Sequence, residues 1–91
     1  ALAENHRDAV ALAGLRDMYF ESGDYGRAVR YGKRAVASAS SNPVHRLRLG
    51  DAHYKVARYR EAEKQYAAAI RLGESRAKWR LERVRAKLGT R

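Results

Sequence analysis

GDYGRAVRYGKRAVA, residues 23–37, and ARYREAEKQYAAAIR, residues 57–71, are two versions of one segment set 34 residues apart. Tyr25 returns as Tyr59, Ala28 as Ala62, and Ala35-Val36 as Ala69-Ile70. The echo extends outward: Leu15 returns as Leu49, and Ala1-Leu2 already shows the pair later found at Ala35-Val36. Self-similarity at a fixed period of this size marks a repeat architecture, in which a unit buries its apolar face by stacking on a neighbour. Ala1 and Leu2 match the end of a unit, so the chain reads as a fragment of a longer array.

Within this period apolar residues recur at three and four, which is helical spacing, and strand-like alternation is absent. A first helix is expected after Asp8, a good N-cap, to about Ser22, with Leu12, Leu15 and Tyr19 as its buried stripe and Met18 beside it. Gly23-Asp24 breaks it, and Asp24 can cap the next helix, about 25–39. That helix carries Ala28, Ala35 and Val36 with Tyr31 and Gly32 between, and the small Ala28, Gly32 and Ala35 allow close approach. After a linker at Ser38 to Ser41, Asn42 caps and Pro43 opens a third helix to about Val56, with Val44, Leu47, Leu49, Ala52 and Tyr54. Ala57 stands where the first unit has Gly23, a small local cost where φ must be positive. The fourth helix, about 59–72, uses Tyr59, Ala62, Tyr66, Ala69 and Ile70 and stops at Gly73. Ser75 is expected to cap a fifth, to about Leu88, with Leu81, Val84 and Leu88 on one side and Gly89-Thr90-Arg91 as a frayed tail.

The chain of 91 residues has a net charge of +10, unevenly placed. Residues 1–43 hold six basic and five acidic side chains, residues 44–91 fourteen and five. Such asymmetry fits an acidic partner (protein, nucleic acid or membrane surface) or the solvated charged faces usual in repeat proteins. A hydrophobic fraction of 45% argues against wholesale disorder. With no cysteine there is neither a disulfide framework nor thiolate chemistry. No apolar run approaches the roughly 20 residues that span a bilayer. The compartment stays open, with the cytoplasm favoured. Fifteen arginines against five lysines, with abundant alanine, fit a GC-rich bacterial genome.

These residues resemble the tetratricopeptide repeat, whose pattern runs W-x2-L-G-x2-Y, then A-x3-F, then P, at a period of 34. Leu49-Gly50 is similar to its Leu-Gly pair, with His53 at the tyrosine place. In the first unit Leu12, Leu15 and Tyr19 resemble the Trp, Leu and Tyr places, while Arg16 replaces the glycine. Gly23-Asp24-Tyr25 with Ala28 and Ala35, and Arg58-Tyr59-Arg60-Glu61-Ala62 with Ala69, resemble the turn and second helix. Pro43 falls three residues late. Leu81, Val84, Arg85 and Leu88 match Leu12, Leu15, Arg16 and Tyr19 at a spacing of 69, as a terminal solvating helix would. The resemblance implies an all-α fold of antiparallel helix-turn-helix repeats, about two units plus a C-terminal capping helix, in a right-handed superhelix. One domain over 1–91 is expected: 1–7 the end of a preceding repeat, 8–41 and 42–74 the two units, 75–91 the cap and tail.

The resemblance further implies an inner groove lined by the first helix of each pair, which holds partner peptides or helices. By matching, the groove takes Val10, Ala13, Asp17 and Phe20, then Val44, Leu47, Asp51 and Tyr54, with Trp79 as the third counterpart of Val10 and Val44 and Arg85 nearby. Apolar and aromatic anchors suit a helix or extended segment, and Asp17 and Asp51 suit a basic group of the partner. The plainer alternatives are that Phe20 and Tyr54 are core and that Asp51 pairs with Lys55 one turn along. One mode of the family clamps acidic chaperone tails with lysines, an arginine and asparagines. Asp17 and Asp51 stand at places that resemble those asparagines and would repel a carboxylate.

Alternatively, the last helix, with Arg76, Lys78, Arg80, Arg83, Arg85 and Lys87 around Trp79, could track a phosphate backbone or dock on an acidic protein. It could also be a solvated cap in which Trp79 covers the end of the stack. Self-association is a third prospect, since two repeats are fewer than a solenoid normally needs. The basic residues of the second helices, Arg27, Arg30, Lys33 and Arg34, then Arg60, Lys64 and Arg71, are expected on the convex side. Catalytic supply is poor: His6, His45 and His53 have no cysteine or close carboxylate pair for a metal site, and His53 reads as core filler. No serine sits in an activating pattern and no glycine-rich phosphate loop follows a strand. The chain therefore reads as a non-enzymatic interaction module without cofactor or metal.

Overall fold

Helical spacing interrupted by short breaker clusters gives helices joined by tight turns. The computed structural model describes residues 6–89, with side chains from residue 7, as α1 His6–Ser22, α2 Tyr25–Ser38, α3 Pro43–Lys55, α4 Tyr59–Arg71 and α5 Ala77–Leu88. Among the described residues there is no strand, and each helix packs on the next along the chain. No described helix is long and apolar enough to cross a membrane. The expected stub at Ala1-Leu2 and the tail at Thr90-Arg91 lie outside the described residues.

The turns follow from local chemistry. Gly23 takes φ 87° after α1, and the Asp24 carboxylate accepts from the Arg27 N–H at 3.1 Å to open α2. Asn42 Oδ1 accepts from the Val44 N–H at 2.9 Å, and Pro43 starts α3. Ala57 adopts φ 63°, the left-handed conformation that Gly23 takes without strain, at a cost of about 1 kcal/mol for its Cβ. Two ends differ from expectation. Helix α1 runs back to His6, so Asp8 lies inside its first turn, where a carboxylate still meets the positive end of the helix. Helix α5 starts at Ala77, and its leading N–H, from Arg76, is taken by Glu74 Oε1 at 3.1 Å rather than by Ser75. The Arg76 guanidinium also donates twice to Glu74, at 2.8 Å each, and these bonds hold the Glu74 carboxyl down to about 2.

Packing centres on α3, which is buried on two sides. Leu47 joins Ala62, Tyr66 and Ala69 of α4 and Ala77, Leu81 and Val84 of α5 in one apolar cluster. Leu49 and Ala52 join Ala28 and Val29 of α2 in another, flanked by Tyr19, Phe20, Val36 and Val56. The clusters meet their neighbours closely at two glycines. A Cβ on Gly50 would lie 2.6 Å from Tyr66 Cε1, so the Tyr66 ring sits directly on the α3 backbone. A Cβ on Gly32 would lie 3.0 Å from Leu49 Cδ1 and 3.5 Å from Arg16 Cδ. His53 is buried, as its place in the pattern implies.

The first helix departs most from its expected stripe. Leu12 and Tyr19 are half-buried, but Leu15 is 37% and Met18 52% exposed, while Ala9 and Arg16 are buried. Helix α1 packs chiefly on α2, and Leu15 and Met18 lie on its more exposed side.

Candidate functional site

The first helices of the two pairs, α1 and α3, present residues at helical spacing to a shared cavity of about 320 Å³. Helix α1 supplies Arg16, Asp17, Phe20 and Glu21, and α3 supplies Arg48 and Asp51. Arg16 is 3% exposed; its Nε donates to Asp17 Oδ1 at 2.8 Å, and its Nη1 lies 3.3 Å from His45 Nδ1. The Asp17 side chain remains 54% exposed. Asp51 is nearly covered and accepts from the Tyr66 hydroxyl at 2.6 Å and from Arg80 Nε at 3.0 Å, with Arg48 Nη1 at 3.7 Å. Burial, then the Asp51 carboxylate, pushes the Tyr66 hydroxyl well above its ordinary range. Phe20 meets the Tyr25 ring edge-on at 5.2 Å, leaving its other side to the cavity. Among the described residues Glu21 has no ion pair. The cavity thus joins one aromatic surface to the Glu21 carboxylate and to the exposed edge of Asp17, whose other side holds buried Arg16.

The family model for the tetratricopeptide repeat matches residues 19–88. The chain belongs to the tetratricopeptide-repeat family. Its fold is similar to a solved structure of the first TPR of Spaghetti (RPAP3) bound to HSP90 peptide SRMEEVD, with a TM-score of 0.90 at 22% identity over 97% of this chain and 71% of that one. No curated protein matches.

Of the groove positions expected from the repeat pattern, Asp17, Phe20 and Asp51 come together in the cavity. Leu47 does not: it is fully buried in the core between α3, α4 and α5. Ala13 and Val44 are half-buried and Val10 is 54% exposed, all outside the cavity lining. Tyr54 packs against Tyr59 at 5.3 Å with the Arg83 guanidinium 3.8 Å above its ring. Asp51 is partnered by Tyr66, Arg80 and Arg48 rather than by Lys55, whose amine lies over the Tyr25 ring at 5.6 Å. Arg85 donates to Glu63 of α4 at 3.1 Å.

Burial also fixes the register of α5. Ala9 and Arg16 of α1 are buried like Ala77 and Val84, at 68 residues, twice the repeat with no extra residue. Lys78, not Trp79, is therefore the counterpart of Val10 and Val44. Trp79 is 54% exposed, its ring covered by the guanidiniums of Arg80 at 4.7 Å and Arg83 at 5.0 Å. The basic helix is partly consumed by its own fold, with Arg76 on Glu74, Arg80 on Asp51 and Arg83 on Tyr54. Lys78 and Lys87 remain exposed.

Arg16, Glu21 and Arg48 were not expected in the groove. A signal existed for Arg16: at the repeat spacing it corresponds to Gly50, while Gly32 corresponds to Tyr66. A large residue in the glycine place, matched by a glycine in the aromatic place, marks an exchange of volume between the paired helices.

Proposed function

We propose that the chain is a protein-interaction module whose α1–α3 cavity holds a partner segment bearing an apolar side chain next to a basic one. The apolar group rests on Phe20, and the basic group meets Asp17 and Glu21. The observation that carries this reading is the charge balance of the cavity: its lining sets Asp17, Glu21 and Asp51 against Arg16 and Arg48, Arg16 is buried, and Asp17, though paired with it, stays 54% exposed beside Glu21. The same two carboxylates disfavour an acidic tail in this cavity. The similar solved repeat domain carries a peptide, which supports the peptide-holding role while leaving a different ligand chemistry here.

A peptide-display selection on the isolated chain tests this. Enriched sequences are expected to pair an arginine or lysine with a large apolar residue. Phe20→Ala should weaken the best of them by about 2 kcal/mol, roughly thirtyfold. Asp17→Asn with Glu21→Gln, both exposed, should weaken them without loss of helix content. Enrichment of acidic peptides, or affinity indifferent to all three substitutions, would overturn the reading.

A further inference from the structure

Away from the α1–α3 cavity, a cleft along α2 carries the opposite charge. Arg30, Lys33 and Arg34 project from one face of α2, at the three- and four-residue spacing that makes neighbours. The turn between α3 and α4 brings Arg58 to the same place. Together with Val29 and Val56 they line a cleft of about 450 Å³, a volume that takes several side chains.

Six arginines elsewhere in the fold are paired with the chain's own acids. Arg16, Arg27, Arg48, Arg76, Arg80 and Arg85 each lie within 4.0 Å of a carboxylate of this chain. Among the described residues Arg30, Lys33, Arg34 and Arg58 have no such partner, and Arg34 merely overlies the Tyr31 ring at 5.6 Å. Four like charges gathered at one cleft repel one another, and an anion relieves that repulsion. The positive field reaches the interior: buried His53 is held below its ordinary value first by burial, then by Lys33, with Glu61 opposing and Arg58 adding.

We propose that this cleft docks a short acidic segment of a partner protein, its carboxylates paired with Arg30, Lys33, Arg34 and Arg58 and one apolar side chain on Val29 and Val56. Guanidiniums match carboxylates in bidentate geometry, which gives the site direction as well as charge. The valine floor favours a peptide over a nucleic acid strand, because no aromatic ring lines the cleft to stack on a base. The site is separate from the α1–α3 cavity and of opposite open charge, so one module would hold two segments of different chemistry.

The test is anisotropy at physiological ionic strength with a fluorescent peptide of glutamates flanking one leucine. Arg30→Glu with Lys33→Glu should weaken binding by about tenfold, as loss of two charge-assisted contacts implies. Arg60→Glu with Arg71→Glu makes the same charge change on exposed residues of α4 outside the cleft and should leave affinity unchanged. Replacing the leucine of the peptide by serine should weaken wild-type binding. The proposal is overturned if the peptide does not bind, if both pairs of reversals weaken it equally, or if an oligothymidine strand of equal charge binds as tightly and is lost with the same α2 substitutions.

Discussion

In the second unit the helices cross with a glycine under an aromatic, Gly50 of α3 beneath Tyr66 of α4. In the first unit the same two places are exchanged: the bulk is Arg16 on α1 and the glycine is Gly32 on α2. Both crossings are filled, from opposite helices. What the repeat requires is therefore a volume at the crossing, and either helix can supply it. The exchange has a chemical consequence. A tyrosine at the crossing adds to the core and ties Asp51 inward, whereas an arginine carries its guanidinium through to buried His45 and to Asp17 at the cavity. The second unit is the more completely packed, and the first supplies more of the cavity lining.

The largest effect should come from forcing the first unit toward the second. Gly32→Tyr alone drives a ring into Arg16 and Leu49 and should cost about 3 kcal/mol. Combined with Arg16→Gly, more than half of that loss should return in urea unfolding, because the double variant recreates the Gly50–Tyr66 arrangement. Additive losses would mean that the two crossings are unrelated.

A methyl at each glycine sharpens the contrast. Gly50→Ala gains helix propensity but displaces a fully buried ring, for a net loss of about 2 kcal/mol. Gly32→Ala meets a terminal methyl of Leu49 that can turn away, and the denaturation midpoint should barely move. The turns offer a mirrored pair at about 1 kcal/mol: Ala57→Gly should stabilise and Gly23→Ala destabilise, since both places hold positive φ.

The smallest effect concerns His53, the second unit's counterpart of Tyr19. Tyr19 stacks on Tyr31 at 5.5 Å, whereas His53 is buried with Nδ1 unbonded. Burial lowers its pKa in the folded protein, so the unfolded chain takes up the proton first. Its contribution to stability is complete above the ordinary value of 6.5 and declines as pH falls below it toward the folded value. His53→Gln should show a smaller fall in melting temperature between neutral and mildly acidic pH than the native chain.

How far the sequence could be read depends on what each feature rests upon. Helix number, the Asn42-Pro43 start, the strain at Ala57 and the buried Ala28, Ala35, Ala62 and Ala69 rest on local periodicity and backbone preference, which one sequence carries. Leu15 and Leu47 have the same chemistry, yet one is exposed and the other is core, because burial depends on which helices flank a residue. The lining of the α1–α3 cavity was legible in Asp17, Phe20 and Asp51 through the repeat spacing. Arg16 and Arg48 were hidden, because a charged residue in a helix reads as surface until the volume across from it is counted. The one-residue shift assigned to α5 followed leucine and valine spacing, while packing follows Ala77 and Val84 instead.

The central claim is that the α1–α3 cavity holds the partner segment. An NMR titration with a peptide selected on the chain tests it most directly. Binding there shifts the amides of Asp17, Phe20, Arg48 and Asp51 together and leaves Trp79, Lys78 and Lys87 of α5 in place. Saturable shifts confined to α5, with the cavity residues unmoved, would contradict it.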